Sequence, residues 1–332
     1  MIGRMIRKKS RRLAPSVCCI ALVVALALAG CSRGSGHAAA ASPQLPALEF
    51  AGAWGIRGTD PGQLDTPIGL ATDPLGRVYV VDTGSSSIEK FTATGGPLLS
   101  FGDASLGEAT GIAVDRGGGI YVTEGDRVQI FWPEGDQLRL TRTGLQEAAG
   151  VAVDSEGAYY VTDRALCRVV AFDDRGHLAR TWGKRGVADG EFTDPSGIAV
   201  GADDSVYVAD AGGARVQKFT RDGAWVASFG QADTATGGAL GGAQGTVGLA
   251  VSSRVIFVVG SAGAALRVWS FDGQEIPVDP AALAAANILA PSENAAQPPA
   301  ALRIVAVTLD PNGDLLLLDA ASDRVLRFHV HI

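Results

Sequence analysis

A five-residue motif, Gly-Ile-Ala-Val-Asp or a close variant, recurs along the chain and restricts its fold more than any other feature. It stands as Gly69-Leu70-Ala71-Thr72-Asp73, begins again at Gly111, Gly150, Gly197 and Gly248, and degenerates to Ala306-Val307-Thr308-Leu309-Asp310. The intervals are 42, 39, 47, 51 and 58 residues. A recurrence on that scale means that one supersecondary unit is repeated, and that no copy buries its apolar face alone.

The segments after each motif repeat as well. Thirteen residues beyond its first position stand Asp82, Glu124, Asp163, Asp210 and Asp319, while the fifth copy slips to Gly260. These residues close apolar runs such as Val78-Tyr79-Val80-Val81 and Val206-Tyr207-Val208-Ala209. Aromatics come next at Phe91, Phe131, Phe172, Phe219, Phe271 and Phe328, and four of them are trailed by Gly95, Gly135, Gly176 or Gly223. Short β-branched and aromatic runs bounded by Gly, Asp and Pro read as strands. Asp73-Pro74-Leu75-Gly76 and Asp310-Pro311-Asn312-Gly313 read as turns, with Asp capping and Gly at positive φ. Each unit is therefore four strands, a to d, with strand d ending in aromatic-Gly: Phe101-Gly102, Trp182-Gly183 and Phe229-Gly230. The period is that of a propeller blade.

The chain ends supply the count. The sixth unit stops at Phe328-His329-Val330-His331-Ile332, short of its outer strand, whereas Leu48 to Gly55 has the strand d pattern and no unit of its own. Gly55 to Gly69 also aligns without a gap to Gly183 to Gly197. The expected fold is an all-β six-bladed β-propeller over residues 47–332, with residues 48–54 pairing with the last strand and removing the open edge.

The first thirty residues stand apart. A cationic stretch (Arg4, Arg7, Lys8, Lys9, Arg11, Arg12) precedes an apolar run from about Val17 to Ala29, which is the build of a signal peptide. Leu28-Ala29-Gly30-Cys31 resembles the bacterial lipobox, which implies lipidation at Cys31. Residues 1–30 are thus expected to be a lipoprotein signal peptide and 31–46 a flexible tether. The expected location is the cell envelope, outside the cytoplasm, with the outer membrane allowed because Ser32 is not the Asp that retains some lipoproteins at the inner membrane. Removing the leader leaves 22 basic against 35 acidic residues, a balance of −13. So acidic a surface argues against nucleic acid. Cys167 is the only cysteine left in the folded part, so no internal disulfide forms.

The pattern resembles the NHL-repeat family, best seen in Asp194-Pro195-Ser196-Gly197-Ile198-Ala199-Val200, Val206-Tyr207-Val208-Ala209-Asp210 and Arg215-Val216-Gln217-Lys218-Phe219. The resemblance covers about 48 to 332. Tyr-Val-Thr in blades 2 and 3 is also similar to a seven-bladed surface-layer family, but the count here is six. The NHL resemblance implies a face, carrying the b–c loops and d–a connections, that receives partners. It also admits six-bladed enzymes, such as metal-dependent lactonases and lyases, whose sites converge on the channel.

Repetition separates structural from functional residues. The acid closing strand b and the Arg opening strand c (Arg127, Arg168, Arg215, Arg267, Arg324) are expected to pair within each blade. Blade 1 has Ser87 at the Arg position and blade 5 has Gly260 near the acid position, so two pairs should be missing. Arg57, Glu124, Arg164, Arg185 and Arg303 are charged and lie in or beside loops of the partner face, which makes them the ligand-binding candidates, although Arg57 and Arg185 also match each other. The Ile276–Arg303 connection should hold a short helix that starts at Pro280. The four histidines fall outside strand a and the partner-face loops, so no His-ligated metal, no catalytic residue and no cofactor is assigned. The expected function is a lipid-anchored scaffold or sensor binding a protein, peptide or glycan, with membrane contact through the anchor only. The alternative is a lyase or lactonase with an oxygen-ligated metal in the channel.

Overall fold

Six runs of apolar residues, each buried on both faces, set the architecture. A computed structural model describes residues 47–141, 144–230, 248–260, 266–289 and 301–331; the expected leader, tether and Cys31 lie outside them. A first strand, β1 (Ala47–Trp54), precedes the first blade, which comprises β2 (Pro67–Thr72), β3 (Val78–Asp82), β4 (Ser87–Phe91) and β5 (Pro97–Phe101). Blade 2 holds β6 (Ala109–Val114), β7 (Ile120–Glu124), β8 (Arg127–Phe131) and β9 (Gln137–Thr141). Blade 3 holds β10 (Ala148–Val153), β11 (Tyr159–Asp163), β12 (Arg168–Phe172) and β13 (Leu178–Trp182). Blade 4 holds β14 (Pro195–Val200), β15 (Val206–Asp210), β16 (Arg215–Phe219) and β17 (Trp225–Phe229). Blade 5 holds β18 (Gly248–Val251), β19 (Val255–Val259), β20 (Leu266–Ser270) and the two-residue β21 (Glu275–Ile276). Blade 6 is completed by β22 (Ile304–Leu309), β23 (Leu315–Asp319) and β24 (Arg324–His331). Each sheet has four strands, and the sixth runs β1-β24-β23-β22.

The second strand of every blade is buried throughout, because neighbouring sheets cover both of its faces. The inner strands neighbour one another in chain order, and β22 returns to β2, closing the ring at six. In blades 1, 2, 3 and 6 the a–b turn is capped by the motif carboxylate, and in blade 5 by the Ser252 hydroxyl. Asp73 Oδ1 accepts from Leu75 N (3.0 Å) and Arg77 N (2.9 Å). Asp310 does the same for Asn312 N and Asp314 N.

The seam is an antiparallel pairing from Ala47↔His331 to Trp54↔Val325, with a bulge between Phe50 and Gly52. Phe50 meets Phe328 edge to face, with centroids 5.7 Å apart. His329 and His331 are paired strand residues whose rings reach Asp314 Oδ1 (2.8 Å) and Glu49 Oε2 (3.3 Å). Trp54 then binds the closed seam to blade 1. It lies over Gly95, where a Cβ would come within 2.3 Å of the indole. Phe101 and Trp182 lie over Gly135 and Gly223 in the same way, so the repeated glycine is needed for close approach as well as for its positive φ.

The expected helix is α1 (Pro280–Leu289). Asp279 Oδ1 accepts from Ala281 N (2.8 Å) at its start, and Pro280 opens it, as its fixed φ favours. Ala282 and Leu283 pack on the cluster containing Leu48, so α1 buttresses the seam. Leu48→Ala should therefore cost about 2–4 kcal/mol in chemical denaturation. Deletion of residues 47–54 should leave β24 as a bare edge and give aggregation on refolding, measured by light scattering.

Candidate functional site

The face formed by the b–c loops and the d–a connections is held by a set of buried carboxylates. Asp82, Glu124, Asp163, Asp210 and Asp319 end their strands at 0–2% exposure. Four of them accept a hydrogen bond from a backbone amide of the connection entering the same blade: Asp65 N to Asp82 Oδ2 (2.8 Å), Glu147 N to Asp163 Oδ1 (3.2 Å), Asp194 N to Asp210 Oδ1 (2.8 Å) and Arg303 N to Asp319 Oδ1 (3.0 Å). Each carboxylate thus pins a surface connection to its blade.

The expected arginine pairs form in four blades. Arg168 meets Asp163 at 3.2 Å, Arg215 meets Asp210 at 3.4 Å, Arg324 meets Asp319 at 3.2 Å, and Arg127 pairs with Glu124. The two expected exceptions also hold. In blade 5, Arg267 turns to Glu275 instead, at 2.5 and 2.7 Å. In blade 1, Ser85 takes the place beside Asp82 that a guanidinium fills elsewhere.

The same connections wedge an apolar side chain between blades. Leu64, Leu106 and Phe192 are fully buried and Leu145 nearly so. Gly183, at φ +91°, makes room for Phe192, from which a Cβ would stand only 2.5 Å away. The matching bridges Arg57↔Leu64 and Arg185↔Phe192 show that the two aligned connections share one conformation.

The five candidate residues fare differently. Glu124 is buried at 2% and occupied by Arg127 and Gln129, so its carboxylate serves the blade. Arg164 bridges blades 3 and 4, donating from Nε and Nη2 to Asp194 at 2.8 and 3.1 Å, with Glu147 at 3.6 Å. Arg57 donates to the buried Asp323 at 2.5 Å. Arg185, its repeat mate, is exposed and makes no ion pair among the described residues. The reason is a substitution in the preceding b–c loop. Cys167 stands where blade 6 has Asp323, and both residues hold φ near +50°. Cys167 is buried, with burial pushing its thiol pKa up, which suits an inert filler. Arg303 is exposed, with its backbone committed to Asp319 and Ala320 and its side chain without an ion pair among the described residues.

The channel encloses about 300 Å³ and is lined by the six inner strands. Its side chains are aliphatic or threonine, Ile112, Val114, Val153, Val200, Thr72 and Thr110 among them, and no inner strand contributes an acid, a histidine or a basic residue. Among the described residues no three His, Cys, Asp or Glu side chains group as metal ligands. A second recess of about 210 Å³ on the opposite face is bordered by Asp115, Arg116, Asp154 and Asp204; Asp115 and Asp154 are the motif acids of blades 2 and 3, and each of the three acids bonds a turn amide.

The NHL repeat model matches residues 64–91 and 192–219, the two segments running from a wedge residue to the strand c aromatic. No curated protein sequence matches the chain. Solved structures similar to it include a streptogramin B lyase, 12% identical with TM-score 0.59, covering 87% of this chain and 99% of that one. Virginiamycin B lyase from Staphylococcus aureus is 14% identical with TM-score 0.57, covering 85% and 88%. A chain of a nidogen/laminin complex is 22% identical with TM-score 0.52, covering 65% and 80%. At these identities the likeness is one of fold.

The repeated ion pairs give a direct test. Asp210→Ala leaves the 13%-exposed Arg215 without its carboxylate and frees two amides, so it should cost about 3–5 kcal/mol. Arg267→Ala, whose pair is open to solvent, should cost less than about 1 kcal/mol in the same denaturation experiment.

Proposed function

Because this chain carries NHL repeats on a six-bladed β-propeller, we propose that it is an extracytoplasmic, lipid-anchored scaffold that receives a protein, peptide or glycan on the face holding Arg185 and Arg303. The observation that carries this reading is the contrast between Arg57 and Arg185. The two share one loop conformation, yet the internal carboxylate is kept for one and replaced by Cys167 for the other. A guanidinium released from its fold partner is available to a carboxylate or another anionic group of a ligand. Arg303 adds a second such donor across the ring, on blade 6. Arg57 and Arg164 stiffen the loops between them.

The anchor belongs to the same proposal. Cys31 takes the lipid, residues 31–46 give reach from the membrane, and the acidic mature chain keeps the propeller off anionic surfaces and nucleic acid. The rival reading, a lyase or lactonase, has precedent in the lyases that share the fold. It needs several oxygen ligands converging in the channel, and the inner strands bring only threonine and backbone there.

A photo-activated cross-linker placed at position 185 or 303 in living cells should capture a discrete partner, while one at Asn312, on the opposite face, should not. Equal capture from both faces, or from neither, would remove the proposal. For the anchor, Cys31→Ala should move the protein out of the membrane fraction or stall its maturation. Unchanged membrane retention would show that the thiol carries no lipid.

A further inference from the structure

Blade 1 lacks the arginine used by four other blades, and what replaces it is a chain of oxygen atoms. Asp82 Oδ2 lies 2.7 Å from Ser85 Oγ, which is 2.7 Å from Ser87 Oγ. Ser87 Oγ is 2.7 Å from Glu89 Oε1, and Ser100 Oγ is 2.5 Å from the same carboxylate oxygen. Asp82 and Glu89 are 0% and 2% exposed, and neither has an ion-pair partner among the described residues. The corresponding place in blade 4 holds Arg215 and the neutral Gln217. Blade 1 has exchanged a cation and an amide for a hydroxyl and a second acid.

The hydrogens do not balance if both acids are ionised. Four oxygen–oxygen contacts of 2.5–2.7 Å each need a proton between them, and Ser85, Ser87 and Ser100 bring one each. The fourth must sit on a carboxyl group. Glu89 already accepts from Ser87, Ser100 and the amide of Gly62, at 2.8 Å, as an anion does. Asp82 instead has one buried oxygen, Oδ1, without a partner, a far smaller penalty on a neutral carbonyl than on a carboxylate.

We propose that Asp82 holds a proton in the folded state and passes its hydrogen bond through Ser85 and Ser87 to an ionised Glu89. In that arrangement Asp82 donates to Ser85, Ser85 to Ser87, and Ser87 to Glu89, so every contact is filled in one direction. The other charged group near Asp82 is Asp65, a third acid, which also opposes ionisation. Burial raises the Asp82 pKa independently of this count. The network has a function on the partner face. Gly62 N is held by Glu89 and Asp65 N by Asp82, so one proton fastens the connection that carries Arg57.

The pH dependence has a fixed sign. The folded chain keeps a proton that the unfolded chain releases near the ordinary aspartate pKa of about 4. This contribution is full below that value and is lost as the pH climbs through the raised pKa of folded Asp82.

The test is Glu89→Gln. Its amide can accept from Gly62 N, as Gln217 accepts from Gly190 N at 2.9 Å, and its NH2 supplies the missing hydrogen to Ser87. Asp82 can then ionise. Thermal unfolding of wild type and variant from pH 4 to 9 should show a midpoint difference that moves steadily in favour of the variant as pH rises. The slopes should differ by up to about one proton. Infrared spectra should show a protonated-carboxyl C=O band in the wild type that the variant lacks. A pH-independent midpoint difference, or identical carboxyl bands, would overturn the proposal. So would one equivalent of calcium retained through dialysis by the wild type and lost by the variant, because a cation would then stand in the proton's place.

Discussion

A ring of six sheets has one seam, and here two strands from opposite ends of the chain close it. β1 contributes the outer strand that blade 6 lacks, and its Phe50 and Leu48 enter the same apolar cluster as Phe328 and Leu326. Without that pairing β24 would present a full row of unpaired amides and carbonyls. Trp54 also lies against Gly95 of blade 1, so the seam engages the blades on both of its sides. α1 rests on the cluster from outside. The faces, the channel and the spacing of loops all presuppose that closure.

Within the ring, blades 1, 3, 4 and 6 solve the same local problem of fixing a surface connection to a buried strand end. The usual solution is a carboxylate that accepts an amide of the connection and is neutralised by an arginine. The departures carry most of the chemistry. Where Asp323 becomes Cys167, an arginine is released to solvent. Where arginine becomes Ser87, two acids are left to share a proton. Repetition supplies the scaffold, and the broken repeats change which groups are paired, protonated or exposed.

Much of this was legible in the chain. The motif spacing gave the blade count, and the orphan strand d pattern at Leu48 to Gly55 gave the closure. Ser87 and Gly260 foretold the two missing ion pairs, and the alanine run after Pro280 gave the helix. The less legible features arise from side chains that meet across different strands or blades. Arg57 and Arg185 sit in the same Gly-x-Arg-Gly context, and what distinguishes them is a loop residue of the preceding blade. Glu89 and Ser100 face each other only through the β4–β5 register. Glu124 has the charge and loop position of a binding residue, although its place in the repeat already assigns it to Arg127.

The seam is the claim on which the rest stands, and native-state hydrogen exchange tests it most directly. The amides of residues 48–54 should be protected to the same degree as the outer strands of blades 1 to 4, and should open together with β24. Exchange of 48–54 at the rate of an unstructured tail, with the rest of the ring still protected, would contradict the closure.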